Sequence, residues 1–248
     1  LAPSIHNTQP WRFVVEGDAA QLWADRSRAV PRVDPTGRQL TVSCGAALEQ
    51  LRLALAEQGY DARLELSPDP ASPDLLAVAR LTDRTPDPAD VALSPWISRR
   101  ATVRSAFEPR PVPEEVVERF YNAVGATGAW LRPLTDRQDL IALSILLNHA
   151  DEAERTDSGY RDELAAWRRH GEAPDGVPDA ALPVNPGRHS DVTLRDFGGA
   201  GATPGDAALG EALPIDERPL IVVLGTEHDG VRDWLTAGRA LARLLLSA

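Results

Sequence analysis

Apolar residues change their period along this chain, and that change limits the folds open to it. In the first third they alternate or run on over short stretches: "WRFVV" from Trp11, "QLWAD" after it, "ARLELS" from Ala62 and "LLAVARL" from Leu75. Short runs rich in β-branched and aromatic residues, turned at Gly17 and joined by the Pro-rich "PDPASPD", read as two strand pairs. Between the pairs, Cys44, Leu48, Leu51 and Leu55 recur at spacings of four, three and four, which predicts a helix over Gln39 to Gln58 with Gly59 just beyond it.

The segment "TDRTPDPADVALSP", Thr82 to Pro95, is rich in Pro and Asp and is the best internal boundary. Beyond it the helical period takes over. "PVPEEVVERFYNAVG" places Pro113 and two acids in a first turn, lines up Val116, Val117, Phe120 and Val124, and exits at Gly125. "TDRQDLIALSILLNHADEAER" opens with Thr135 and Gln138 at capping-box spacing and is expected to bury Leu140, Leu143 and Leu147. From Gly171 to Leu213 periodicity is weak and Gly, Pro, Asp and Ala dominate, which reads as a lid or covering arm. "PLIVVLGTEHDG" then reads as a buried strand with an exit turn, and "VRDWLTAGRALARLLL" as a closing helix.

The 248 residues, 43% hydrophobic and 25% charged, suit an ordinary globular core. A net charge of −11 argues against non-specific nucleic-acid binding and attraction to an anionic membrane, so any phosphate site must be local. All 26 basic residues are Arg, as GC-rich coding would give. The lone Cys44 allows no intramolecular disulfide, and it reads as a buried structural thiol because it lies on a helix's apolar face. No apolar run approaches the roughly 20 residues of a membrane span, so a cytoplasmic setting is the default. The five His are scattered without metal-ligand spacing, so no metal site is expected. The chain starts at Leu1 and stops inside an amphipathic pattern, and the expectation is that both ends are missing.

Chemistry concentrates in "SIHNTQPW". Ser4, His6, Asn7 and Gln9 put a hydroxyl, a ring nitrogen and two carboxamides within six residues, enough to pair with a heterocycle that alternates acceptors and one imide N–H. Pro10 is expected to hold Gln9 extended, with Trp11 packed beneath. On the residues alone, a capped polar turn before a strand is the simpler reading.

"APSIHNTQPWRF" closely resembles the Pro-Ser-x-x-Asn-x-Gln-Pro-Trp stretch of the nitroreductase family, flavoenzymes that bind FMN at a dimer interface. "RRATVRSAF", Arg99 to Phe107, is similar to that family's Arg-x-Ser-x-Arg/Lys element; the matching residues are Arg100, Thr102 and Arg104, with Thr102 in place of Ser. Here the basic element lies about ninety residues downstream of the polar stretch instead of upstream. That order, with "DPTGRQLTVSCGAALEQLRLAL", "RDFGG" and "WLTAGRALARLLL", resembles the Acg-type branch, in which one chain mimics the usual dimer. Where the polar stretch would recur, "AVGATGAWLRPL" lacks its Asn and Gln.

The resemblance implies an α+β, nitroreductase-like fold of two fused halves forming a pseudo-dimer, with helices around mixed β-sheets. The halves are residues 1–90 and 91–248, the second carrying the covering segment near 171–213. It implies one FMN per chain, held by Ser4, His6, Asn7 and Gln9 on one side and Arg100, Thr102 and Arg104 on the other, in a monomer or homodimer. NADPH or NADH would pass a hydride through the flavin to a small-molecule acceptor such as a nitroaromatic or quinone, with no side-chain catalytic group required. The alternative is a flavin-sequestering or storage protein with a lid over FMN and little turnover.

Overall fold

The computed structural model describes residues 1–103, 110–181 and 219–248. They divide into two compact units. One comprises Leu1–Ala101, Glu114–Arg132 and Leu224–Ala248; the other comprises the described parts of Thr102–Pro113 and Pro133–Val223.

The first unit is built on an antiparallel sheet of order β1-β2-β4-β3, from β1 (Trp11–Glu16), β2 (Ala19–Ala24), β3 (Asp61–Leu66) and β4 (Leu75–Thr82). Gly17, at φ 59°, makes the β1–β2 turn. Helix α1 (Arg38–Glu57) lies against this sheet, matching the expected helix within one residue at each end. Leu40, Cys44 and Leu48 of α1 form the core with Leu22 of β2, Leu76, Ala77 and Ala79 of β4, and Leu235. The first turn of α1 would leave buried N–H groups unpaired; the buried Asp34 carboxylate accepts from Leu40 N at 2.8 Å. The short α2 (Pro88–Leu93) follows, capped by Asp87.

The apolar face of α3 (Glu114–Gly125) buries Phe120, Ala123 and Val124. Strand β5 (Trp130–Pro133) comes next in the chain.

In the second unit, α4 (Arg137–Thr156) and α5 (Ser158–Ala166) are each capped by an aspartate: Asp136 accepts from Gln138 N, and Asp157 from Tyr160 N. The cap of α4 is therefore Asp136, not Thr135, because the Asp136 carboxylate sits at the position from which it reaches an N2 donor. The burial expected along α4 is also corrected. Leu140, Leu143 and Leu147 are only half-buried, no described residue of the helix is buried, and Ile141, Ile145 and Leu146 are exposed. Two-residue strands β6 (Arg168–Arg169) and β7 (Val177–Pro178) pair in parallel, braced by Arg169 on Asp175 and Arg168 on Asp179. The greater part of the expected covering segment, including "GGAGATPGD" and "RDFGG", lies outside the described residues.

Strand β8 (Val222–Gly225) pairs with β5, and in the first unit the Trp130 ring lies over Gly225 where any Cβ would overlap it. Helix α6 (Val231–Ser247) then packs along α1 in that same unit. Their contact is backbone to backbone. A Cβ on Gly45 would overlap the Leu235 carbonyl oxygen, and one on Gly238 would overlap that of Val42.

This helix pair is also joined by charge. Glu49 of α1, with no exposed surface, accepts from Arg52, Arg239 and Arg243. Buried Asp90 of α2 accepts a two-pronged bond from Arg52, at 2.6 and 2.8 Å, and one from Arg243 at 2.6 Å. Arg243 spends its Nε–H on the Ala123 carbonyl of α3, so four helices meet at one side chain. Burial would raise both carboxyls, yet the guanidiniums outweigh it and hold Glu49 and Asp90 below the ordinary carboxylate range. Among the described residues, no helix is long and apolar enough to cross a membrane.

Candidate functional site

The polar stretch begins extended at Ser4 (φ −146°, ψ 157°) and tightens into a 3-10 turn over Ile5–Asn7. His6 (φ 45°, ψ 24°), Asn7 (φ 54°) and Gln9 (φ 52°) all have left-handed backbone, while Thr8 between them is right-handed. Gln9 is therefore not extended, against the expectation drawn from Pro10. A proline disfavours right-handed helical backbone in the residue before it, and tertiary hydrogen bonds select the left-handed region here.

Those bonds engage four of the loop's backbone donors, the N–H groups of Ile5, Asn7, Thr8 and Gln9. Asn7 N donates to Ser4 O, Thr8 N to Ile5 O and Gln9 N to the Ser4 hydroxyl at 3.0 Å. Ile5 N reaches out to the Ser43 hydroxyl of α1, which itself donates to Gln39 O. Pro10 O accepts from Asp25 N and from the Cys44 thiol. Cys44 is fully buried and its thiol is pushed up to about 12, chiefly by burial, as suits a structural cysteine.

With these four N–H groups committed, the loop can address a ligand through its side chains. Asn7 is exposed, Ser4 and Gln9 are half-buried, and His6 is only 7% exposed, so its ring sits in the interior. Trp11, expected beneath the loop, packs with Phe13 against the hydrophobic core.

Arg100 follows the 3-10 turn at Ser94–Trp96 and donates through Nη2 to the Leu1 carbonyl at 3.1 Å. The first arginine of the basic element and the N-terminal segment carrying the polar loop thus meet within one unit. Burial lowers the Arg100 pKa from its ordinary value, which leaves it a cation at neutral pH. Arg99 turns away to stack on Trp96, 5.3 Å from the ring centre. Thr102 is exposed and belongs to the second unit, and Arg104 lies outside the described residues.

Sequence reasoning missed Ser43, whose hydroxyl anchors Ile5 across 38 residues; a serine inside a helical pattern gives no sign of a tertiary partner. The "TEHDG" turn has local partners: Asp229 accepts the Trp234 indole N–H and lies 3.5 Å from Arg38, and Asp233 accepts from Gly230 N. It behaves as the N-terminal cap of α6. Among the described residues, no three His, Cys, Asp or Glu side chains gather where they could hold a metal ion.

No protein-family model matches the chain. A Mycobacterium tuberculosis protein provisionally named an NAD(P)H nitroreductase is 36% identical over 249 aligned positions, covering 100% of this chain and 70% of that protein. A second M. tuberculosis relative, provisionally named the NAD(P)H nitroreductase acg, is 30% identical over 256 positions, covering 100% of this chain and 73% of its own length. A Serratia relative provisionally named the NAD(P)H nitroreductase PigM is 33% identical over 129 positions, 49% of this chain and 35% of its own. Identity of 30–36% across the whole of this chain places it in the nitroreductase-like family, in its Acg-type branch.

Proposed function

We propose that the chain is an FMN-binding oxidoreductase that takes reducing equivalents from NADPH or NADH and delivers them to a small acceptor such as a nitroaromatic or quinone. The observation that carries this reading is the strained polar loop. Three non-glycine residues within four positions hold left-handed backbone, a conformation that costs free energy and gathers at ligand sites. With the N–H groups of Ile5, Asn7, Thr8 and Gln9 committed, the loop offers the Ser4 hydroxyl and the Asn7 and Gln9 carboxamides. That donor and acceptor set fits the edge of an isoalloxazine. His6, being interior, would shape the loop from within.

Arg100, with Thr102 and Arg104, would hold the phosphate end through charge-assisted bonds. Bound there, FMN would supply two-electron chemistry between a nicotinamide and an acceptor, while the protein orients it and sets its surroundings. The names of the relatives support the nicotinamide as reductant.

The pseudo-dimer reading is supported by α1 and α6, whose glycines Gly45 and Gly238 stand in the similar stretches "SCGAAL" and "TAGRAL" and contact each other's helix reciprocally. One polar loop per chain then means one flavin per chain. The test is anaerobic mixing of the purified chain, reconstituted with FMN, with NADPH and then NADH while flavin absorbance is followed. Bleaching, with FMN as the ligand found by mass spectrometry, is expected. A bound flavin that neither nucleotide reduces would mark a flavin store, and failure to bind FMN would overturn the proposal.

A further inference from the structure

The conformation of Gln9 turns on one peptide group. Positive φ at Gln9, following right-handed Thr8, requires the Thr8–Gln9 peptide to face one way; rotating that plane by half a turn would release Gln9 to the extended backbone that Pro10 favours. Both ends of the plane are held. Its N–H donates to the Ser4 hydroxyl at 3.0 Å, and its carbonyl accepts from Arg28 Nη1 at 2.8 Å.

Arg28 comes from a different part of the fold. It ends the 3-10 turn Arg26–Arg28 that follows β2, and Asp25 organises that turn by accepting from Ser27 N at 3.1 Å while lying 3.7 Å from Arg28 Nε. Asp25 N also donates to Pro10 O at 3.0 Å. The turn therefore grips the polar loop at two carbonyls, Thr8 and Pro10, on either side of Gln9. Thr8 has no exposed surface in the intact chain, and the Arg28 guanidinium is the partner its carbonyl finds there.

We propose that Arg28 is a positioning residue of the flavin site: with Ser4 it clamps the Thr8–Gln9 peptide and so decides where the Gln9 carboxamide is presented. This inference rests on the flavin reading above. Arg28 is assigned no ligand contact; it acts through the backbone of a residue that has one.

The experiment compares the unsubstituted chain with Arg28→Ala and Arg28→Lys. Three quantities are read: the exchange rate of the Gln9 amide without flavin, FMN affinity by calorimetry, and the absorbance band shape of bound FMN. Arg28→Ala is expected to speed Gln9 exchange and to weaken FMN by about tenfold or more, tenfold being the lower end of what a hydrogen bond from a charged donor is worth. It should also shift the flavin band. Arg28→Lys should recover most of the affinity and the band, because an ammonium can make the same single bond.

If Arg28→Ala does not fold, Arg28→Met, which keeps the apolar stem and carries no N–H donor, makes the same comparison. FMN bound equally well by the alanine or methionine variant and the unsubstituted chain overturns the inference and leaves the flavin reading standing. Loss of thermal stability with unchanged Gln9 exchange overturns it as well, and an unsubstituted chain that binds no FMN overturns both.

Discussion

Gly45 of α1 and Gly238 of α6 occupy equivalent places in one helix contact: each faces the carbonyl of the residue three positions before the other, Leu235 and Val42 respectively. Such reciprocity is what a two-fold axis produces between two copies of a chain. Here it occurs within a single polypeptide.

Gly238→Ala is therefore expected to destabilise the protein by about 1–3 kcal/mol, although alanine is the better helix former by about 1 kcal/mol. The atoms it would displace are backbone, which no rotamer change can clear. Gly125→Ala, at a helical glycine with nothing within 4 Å, serves as the control and should be neutral or slightly stabilising. Urea denaturation of both variants makes the comparison.

Acid should loosen the α1–α2–α6 junction. The folded carboxyls of Glu49 and Asp90 lie below their ordinary values, so on acidification the unfolded chain binds protons before the folded one does. Their contribution is fully present above the unfolded carboxyl range, about pH 4–4.5, and is lost as pH falls through the lower folded values. Glu49→Gln should cost about 3–5 kcal/mol at neutral pH, because it leaves buried guanidiniums without their counter-charge. It should also flatten the pH dependence of stability below about pH 5, and an unchanged slope in denaturation curves across that range would contradict the assignment.

On the flavin reading, Asn7→Ala should weaken FMN by roughly 1 kcal/mol for each ring-edge bond lost. Arg100→Ala should cost at least as much, since an anionic phosphate would lose a counter-charge. Calorimetric titration gives affinity and stoichiometry together. Two FMN per chain, or unaltered affinity in both variants, would remove the cross-half site.

Cys44 should resist thiol reagents in the native protein. Burial pushes its thiol up to about 12, so at pH 8 nearly all of it is protonated as well as enclosed. Labelling is expected only at the rate of unfolding; rapid stoichiometric labelling in native buffer would show that the α1–sheet core opens.

What the sequence by itself determined was local. The period of the apolar residues located β1 to β4, α1, α3 and α6, because strands and helices set their repeat through backbone geometry alone. "SIHNTQPW" marked a polar loop, because its residue types carry their chemistry wherever they stand. Tertiary structure decided the rest. The backbone of Gln9 came out left-handed because Ser4 and Arg28 hold one peptide plane from both ends, 5 and 20 residues from the atoms they bind. Glu49 became a buried ion-pair centre through Arg239 and Arg243, some 190 residues away, which no short-range pattern reports. Likewise the close approach at Gly45 and Gly238 depends on two helices meeting at their smallest residues. A glycine in sequence shows only that room could exist; its partner helix decides whether that room is used.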